Sequence, residues 1–331
     1  MSKEKIKEII QSNYNINILD VEKVKNAYKV ETNDKAYCVK IVHYKYEHFN
    51  FILSTMKHLQ NNGFDRIPLI LKNNSESEFI SINNEFAYLT EWVPSRVSNY
   101  DNPLELSKVA SKLGELHKCS KGFKVTRDMK PRVGWGNWVK VFSTRCDEIL
   151  DFKNRISQKA HKSEFDYIYL NAIESELKSG YLAIEEIKSA NYYNLMMKEI
   201  TGCGFCHHDY AHHNVLIDAE NNINIIDFDY CMLDSHLHDL CSLLIRAMKY
   251  DKWESDKADL IMESYKKEFD VTDEEKKLMK GFIRFPQSFW QIGLQYYWEQ
   301  QPWGDEFFIN KINKYLEDKG ERELFINDYF R

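Results

Sequence analysis

The segment TGCGFCHHDYAHHNVL, from Thr201 to Leu216, restricts the fold of this chain more than any other segment. Its side chains fit several kinds of site, and the choice among these sites decides the fold. Cys203-x-x-Cys206-His207 is the spacing that attaches c-type haem, and Cys203-x-x-Cys206 alone is the spacing of a thioredoxin-like redox pair. With the histidines nearby, the same cysteines also have the composition of a zinc site. Each of these interpretations requires a different fold around the cysteines.

A fourth interpretation ignores the cysteines. His207-x-Asp209-x-x-x-x-Asn214 is followed, after a short gap, by the sequence IDF around Asp227, which is the arrangement of a phosphotransferase active site. Phosphoryl transfer needs a carboxylate to accept the proton of the attacking hydroxyl, metal ligands to neutralise the phosphates, and a lysine to hold them. Asp209 fits the base, Asn214 and Asp227 fit the Mg²⁺ ligands, and Lys40 fits the phosphate anchor.

Composition and context favour this fourth interpretation. The 331-residue chain has a formal net charge of -6, so we expect neither nucleic acid nor membrane as a partner. Its charged N-terminus lacks the apolar core of a secretory signal, which predicts a cytosolic protein without attached haem. A redox pair requires an exposed cysteine at a helix N-terminus, and HHDYAHH is too compact for the usual zinc knuckles. We therefore expect most of the seven cysteines to be buried, reduced thiols.

The first ninety residues predict a small sheet with one main helix. After an opening helix capped by Ser2, residues 18–24, 27–32 and 36–42 have strand-like patterns, and Lys40 stands among apolar neighbours on the third. Residues 46–62 have helical spacing, and further strand-like runs at 66–71, 77–82 and 85–93 follow. We expect turns at Asn33-Asp34 and, between the last two runs, at Asn83-Asn84.

The rest of the chain is mostly helical in pattern. The turn-rich segment PSRVSNYDNP predicts a linker over 94–103, which divides the chain into domains at 1–93 and 104–331. A helix follows the linker, with Asp101 or Asn102 as its cap. The only strand-like part of the second domain is a hairpin around Asn221-Asn222, directly after the His207 segment.

These motifs resemble the aminoglycoside phosphotransferase and choline kinase branch of the protein-kinase-like fold, and within it the CotS family of spore coat proteins. The matching sequences are YLTEWVP (88–94), HHDYAHHNVL (207–216), IIDFDYCMLD (225–234), HDL (238–240) and FPQSFWQIGLQYYWE (285–299). The resemblance implies an α+β, bilobal fold. Its small N-terminal lobe holds an antiparallel sheet and one main helix and binds nucleotide, and its larger, mostly helical C-terminal lobe holds the catalytic loop and the acceptor site.

The resemblance also implies roles for individual residues, with ATP and Mg²⁺ as cofactors. Asp209 is the catalytic base, and His207 is the structural histidine of its loop. Asn214 and Asp227 are the metal ligands, and Lys40 is the nucleotide lysine. The adenine-binding hinge is formed by Thr90, Glu91, Trp92 and Val93. Asp239 resembles the buried aspartate that braces the catalytic loop, although a helix N-cap is an equally good interpretation of that residue.

The chain departs from the family pattern in the nucleotide lobe. The turn between the first two strands, Lys25-Asn26-Ala27-Tyr28, contains no glycine-rich sequence. Asp227-Phe228 is followed by Asp229 where a protein kinase carries glycine, which favours the small-molecule branch and adds a carboxylate near the metal. Glu47 is the only acid in the helix after Lys40, so we assign it as the lysine's partner, with a solvated helix-terminal charge as the alternative.

Two alternatives remain open for the acceptor and for the activity. The aromatic residues between Phe285 and Trp298 are either core or a substrate wall that, beside Glu299 and Asp305, receives a cationic or sugar-like acceptor. The leading hypothesis is an ATP- and Mg²⁺-dependent kinase for a small-molecule hydroxyl group, located in the mother-cell cytoplasm and then in the spore coat. The alternatives are an inactive structural or assembly protein of the coat and, less favoured by DFD in place of DFG, a protein kinase acting on other coat proteins.

Overall fold

The structure is a computed structural model that describes residues 2–82, 85–250 and 252–331. Its N-terminal part is a five-stranded antiparallel sheet in the order β1-β2-β3-β5-β4. The strands are β1 (Asp20–Val24), β2 (Ala27–Glu31), β3 (Ala36–Val42), β4 (Ile80–Ile82) and β5 (Glu85–Glu91). The predicted turn at Asn33-Asp34 is confirmed, since the N–H of Thr32 donates to the carbonyl of Lys35. The predicted turn at Asn83-Asn84 lies outside the described residues.

Two helices pack against this sheet. α1 (Lys3–Asn13) is capped by Ser2 as predicted, and it buries Ile6 and Ile10 against the sheet. α2 (Tyr46–Asn61) has apolar side chains on two faces: Phe49 packs with the sheet, whereas Phe51 belongs to the large core of the C-terminal part. A single helix therefore joins the two cores and sets the cleft between them.

The strand predicted over residues 66–71 is wrong. Only Ile70 forms a β-bridge, opposite Thr90. Pro68 has no N–H to donate to a ladder, and the carbonyl of Arg66 accepts a hydrogen bond from Ile225 of the other sheet instead. The segment is thus divided between the two sheets and cannot extend either one.

A second sheet forms beside the first, with the antiparallel order β6-β7-β8. The predicted hairpin is confirmed as β7 (Val215–Asp218) and β8 (Ile223–Ile225). β6 (Ser95–Val97) lies within the predicted linker and pairs with β7. All three residues of β6 are exposed, so the segment has no alternating pattern from which a strand could be predicted.

The remaining elements are helices, and the predicted α+β, bilobal architecture is confirmed. α3 (Pro103–Ser120) is capped by Asn102, one of the two predicted caps. The others are α4 (Trp138–Gln158), α5 (Glu164–Ser189), α6 (Tyr192–Gly202), α7 (Leu237–Met248), α8 (Ser255–Lys266), α9 (Asp273–Arg284), α10 (Gln287–Gly293), α11 (Asp305–Glu317) and α12 (Lys319–Tyr329). None of the helices in the described part of the chain is both long and apolar enough for a membrane span.

The aromatic run before residue 299 is mainly core. Phe285, Phe289 and Tyr297 are buried, and the ring of Phe289 stacks on Tyr169 with centroids 4.1 Å apart. Gly293 sits so close to this cluster that a Cβ atom there would lie 2.3 Å from the hydroxyl of Tyr169. Close packing of this kind leaves no space for an acceptor between the rings.

Candidate active site

Lys40 is held in the interior by its position on β3. The residue lies opposite Tyr88 of β5 and is 7% exposed. Its Nζ atom lies 2.5 Å from Oδ1 of Asp227 and 2.7 Å from Oδ1 of Asp229. Burial by itself lowers the pKa of Lys40, but Tyr88 and the two carboxylates outweigh it, so the net pKa is raised and the lysine stays charged.

The two aspartates follow β8, where the chain turns sharply. Asp227 has a left-handed backbone (φ 67°), a conformation that aspartate tolerates better than most residues. Burial raises the pKa of both carboxyl groups, but Lys40 brings that of Asp227 below its ordinary value. The pKa of Asp229 stays raised because Asp227 adds repulsion.

This carboxylate pair fits a Mg²⁺ ion. Oδ1 of Asp229 is buried and, despite its proximity to Lys40, has no partner in hydrogen-bond geometry. Mg²⁺ is a hard cation that prefers carboxylate oxygens, and its charge would relieve the repulsion between Asp227 and Asp229. Asn214, the other predicted ligand, is buried in the same loop region, with its Nδ2 group directed at Asp209.

The prediction that Glu47 pairs with Lys40 is wrong. Glu47 is exposed in the first turn of α2, and Lys40 pairs with Asp227 and Asp229 instead. A carboxylate at a helix N-terminus is stabilised by the helix dipole and by solvent, so Glu47 gains nothing from moving inwards. The alternative interpretation of Glu47 as a solvated terminal charge is the one that agrees with the structure.

The loop that carries Asp209 is fixed by two buried side chains. Nδ1 of His207 accepts the N–H of Asp209 (3.3 Å), which leaves Nε2–H to donate to the carbonyl of Ile226 (3.0 Å). Asp239 accepts the N–H groups of His207 (2.6 Å) and His208 (2.8 Å). Asp239 therefore braces the loop, and its alternative interpretation as an N-cap is wrong because it lies inside α7.

Both oxygens of the Asp209 carboxylate have partners. Oδ2 accepts a hydrogen bond from Nδ2 of Asn214 (3.0 Å), and Oδ1 accepts one from Nη2 of Arg246 (2.9 Å). Sequence reasoning missed Arg246, whose only signal is its position as the single charge in the apolar run LCSLLIRAM of α7. The pair directs the carboxylate oxygens, as a general base requires.

A cleft of about 140 Å³ lies between the two sheets, beside Lys40 and Asp227. The four predicted hinge residues, Thr90 to Val93, line one wall, and Leu216 and Ile226 line the opposite wall. The side chain of Glu91 pairs with Lys35 at the surface. The predicted hinge and the predicted lysine thus border one cavity.

The cysteines of the Cys203-x-x-Cys206 motif are separate thiols. Cys206 is buried, and burial raises its pKa well above the ordinary value, whereas Cys203 is half-buried at the end of α6. Among the described residues, the groupings with metal-ligand spacing are Cys206–His238–Asp239 and Glu199–His236–Glu275, and Cys203 belongs to neither. The oxygens of Asp239 are occupied by the loop amides, so the first grouping is better explained as packing.

Comparison with known proteins agrees with this geometry. The family model described as "Spore coat putative kinase YutH" matches residues 7–329. The chain belongs to this family. Spore coat protein S of Bacillus subtilis (strain 168) is 24% identical to it over 302 residues, which is 91% of this chain and 85% of that protein. The resemblance to CotS-type spore coat proteins is confirmed.

Solved structures extend the likeness of this YutH family member to small-molecule kinases. An aminoglycoside phosphotransferase from Alicyclobacillus acidocaldarius has a TM-score of 0.86 at 18% identity, with 97% of this chain and 94% of that chain covered. A spectinomycin phosphotransferase in complex with ADP and spectinomycin has a TM-score of 0.70 at 13% identity, with 99% and 98% covered. At these identities the likeness shows a common fold, which is the predicted one.

Proposed function

We propose that this protein is an ATP- and Mg²⁺-dependent phosphotransferase that acts on a hydroxyl group of a small molecule. The observation that carries the proposal is the convergence of Lys40, Asp227 and the predicted hinge on one cleft, with Asp209 held by Asn214 on the loop beside it. The kinases that share the fold, one of them solved with ADP, support the choice of nucleotide.

Each residue has a step in the proposed reaction. The hinge and Lys40 bind the nucleotide, and Asp227, Asp229 and Asn214 would hold Mg²⁺, which supplies positive charge against the phosphates. Asp209 accepts the proton of the acceptor hydroxyl group while the oxygen of that hydroxyl group forms a bond to the γ-phosphorus. The bond from that phosphorus to the bridging oxygen breaks, and ADP leaves. His207 and Asp239 act indirectly, by positioning Asp209.

Of the two acceptor classes expected, the structure favours a sugar-like, hydroxyl-rich molecule over a cation. Arg246 contacts Asp209 directly, and His213 lies 3.7 Å from the same carboxylate. Partial burial, His213 and Arg246 lower the pKa of His212 beside them, as expected where positive charge is already concentrated. A cationic acceptor would be repelled at this position.

We infer from the family that the protein acts in the cytoplasm of the mother cell and then associates with other spore coat proteins. Family membership carries this inference, because the likeness to the solved kinases concerns the fold alone. Immunodetection in fractionated sporulating cells and in purified coats tests it.

The function is tested by calorimetric titration of ATP with Mg²⁺ into the wild type, Asp227→Asn and Asp209→Asn. We expect Asp227→Asn to weaken metal-dependent binding, whereas Asp209→Asn should bind nucleotide but lose a factor of about 10² to 10⁴ in transfer to sugars and polyols. Asp65→Asn is the matched control, since the side chain of Asp65 is exposed and does not line the cleft. Transfer that is unaffected in Asp209→Asn would show that the base is another residue.

The second candidate is a kinase-like coat protein without turnover. Two observations favour it: the β1–β2 turn is a tight one at Lys25 and Asn26 in place of a glycine-rich loop, and Lys40 is bound by Asp227 and Asp229 instead of a helix α2 carboxylate. A correctly folded wild type that binds no ATP would establish this alternative.

A further inference from the structure

A second cavity, of about 380 Å³, lies in the C-terminal part between α6, α7 and α9. Glu199 of α6, His236 at the start of α7 and Glu275 of α9 line it, and each offers a potential ligand atom within 4.8 Å of the others. None of these residues takes part in the proposed kinase site. The cavity therefore requires an explanation of its own.

His236 is the central group of this cavity. The residue is 5% exposed, and its Nδ1 lies 2.7 Å from Oε1 of Glu199. Its Nε2 is buried without a hydrogen-bond partner and lies 3.8 Å from Oε1 of Glu275, which is too far for a hydrogen bond. If Nδ1–H donates to Glu199, the lone pair of a neutral Nε2 faces a carboxylate, and either a proton on Nε2 or a cation between the two relieves that arrangement.

Glu275 is held in place for such a role. Its Oε2 accepts hydrogen bonds from the N–H (2.7 Å) and the hydroxyl (2.9 Å) of Thr272, as part of the capping box that begins α9. The other oxygen, Oε1, is thereby directed towards His236. A ligand positioned in advance by other bonds pays little entropy on binding a metal.

We propose that His236 and Glu275 bind a divalent transition-metal ion of the zinc type, with Glu199 holding the histidine. Two ligand atoms at tetrahedral positions about 2.0 to 2.2 Å from one ion are about 3.4 Å apart, close to the observed separation. A carboxylate on the second ring nitrogen is the usual partner of a metal-bound histidine.

The lysines of the cavity do not favour an anion instead. Side chains of Lys118 and Lys198 are 63% and 74% exposed, and Lys121 is exposed as well, whereas those of Glu199 and Glu275 are 16% and 15% exposed. The basic groups thus stand at the rim, and the donors at the bottom are one imidazole and two carboxylates. That set matches a borderline cation that takes both nitrogen and oxygen ligands.

The metal would stabilise the start of α7, which carries Asp239, the residue that braces the catalytic loop. The ring of His117 lies 6.0 Å from that of His236, and Nε2 of His117 lies 3.3 Å from Oδ2 of Asp239, the brace of the loop. An ion on His236 would join three helices at the point where α7 begins. Its role is structural, so it does not depend on phosphotransfer.

The test is titration of Zn²⁺ and Co²⁺ into the metal-stripped full chain, followed by calorimetry, by the visible spectrum of Co²⁺ and by thermal melting. We expect one ion per chain and, at about one hundred times Kd, a rise in Tm of about 5 °C. Glu275→Gln keeps the capping box and should weaken binding at least about tenfold, as should Glu199→Gln. Glu274→Gln, at the exposed neighbouring position, should change nothing.

Several outcomes would overturn the proposal. One is the absence of stoichiometric binding, and another is binding that Glu275→Gln leaves unchanged. A third is a thiolate-to-cobalt charge-transfer band, which would assign the ion to a cysteine. A fourth is stabilisation by inorganic phosphate in place of the metal, which would make the cavity an anion site. Because Glu275→Gln and Glu199→Gln preserve side-chain size, a folding failure of a His236 variant does not affect the test.

Discussion

The buried carboxylate of Asp239 supports the loop that carries Asp209 through two backbone hydrogen bonds, and its replacement by asparagine tests this role directly. The side chain is fully buried and accepts two backbone N–H groups, from His207 and His208. Burial alone would raise its pKa, but hydrogen bonds and charges from His117 and His238 hold the pKa well below its usual range. The group is therefore ionised in the folded protein.

The expected loss follows from these contacts. Asparagine has nearly the same shape but only one acceptor oxygen, and its amide group would face a backbone N–H. A hydrogen bond to a charged group contributes about 1.5 to 3 kcal/mol, and an unsatisfied buried donor costs about 1 to 3 kcal/mol. We therefore expect Asp239→Asn to lower the free energy of unfolding by about 3 to 5 kcal/mol.

Asp234→Asn is the matched control in a urea titration at pH 7. Asp234 is also buried, but its carboxylate accepts the indole N–H of Trp138 and one backbone N–H, and burial raises its pKa to about 6. Its ionised form is thus disfavoured in the folded protein, so the neutral amide should cost far less than at Asp239. A loss below about 1 kcal/mol in Asp239→Asn, or one no larger than in Asp234→Asn, would refute the bracing role.

Three further predictions concern titration, charge and packing. Burial raises the pKa of Asp234 from 3.8 to about 6 in the folded protein, so the stability that comes from protonating this carboxyl group is present below about pH 4 and is lost as the pH rises through 6. Urea titrations from pH 4 to 7 should show the stability of the wild type falling by about 2 to 3 kcal/mol relative to Asp234→Asn. Lys40→Met should lower the free energy of unfolding by about 2 to 4 kcal/mol in the same assay, because it leaves the buried carboxylate of Asp229 and the half-buried one of Asp227 uncompensated. Adding Asp229→Asn should restore part of the loss, and no recovery would contradict the ion pair. Gly293→Ala should lower the free energy of unfolding by about 1 to 3 kcal/mol in thermal melts, since its Cβ meets Tyr169, whereas Gly320→Ala, which meets nothing within 4 Å, should raise it by up to about 1 kcal/mol.

The elements that sequence reasoning predicted correctly are those whose signals are local. The alternation in 36–42 predicted β3, and the helical spacing after it predicted α2, which ends before Gly63 with its positive φ of 86°. Asn102 and Ser2 cap helices because a side-chain oxygen satisfies N–H groups only two or three residues away. Each of these signals depends on neighbours within one or two turns of the chain.

The errors fall where the deciding partner is distant in sequence. Nothing near Glu47 reveals that Lys40 is already bound by carboxylates 187 and 189 residues later (227 − 40 and 229 − 40). In the sequence, Arg246 cannot be distinguished from other charged residues on helices, because its contact with Asp209 is formed only in the folded chain. Residues 66–71 have a strand-like composition, but their hydrogen-bond groups are shared between two sheets.

The sequence by itself determined most of the helices and strands and, through its motifs, the kinase-like fold, because periodicity, capping and motif spacing are properties of short segments. Only the tertiary structure decided which polar side chains meet: Lys40 with Asp227 and Asp229, Arg246 with Asp209, and His236 with Glu199 and Glu275. Burial in a low-dielectric interior makes an unpaired charge costly, so the partner of each ion is selected by the packing of distant segments and is not encoded beside it.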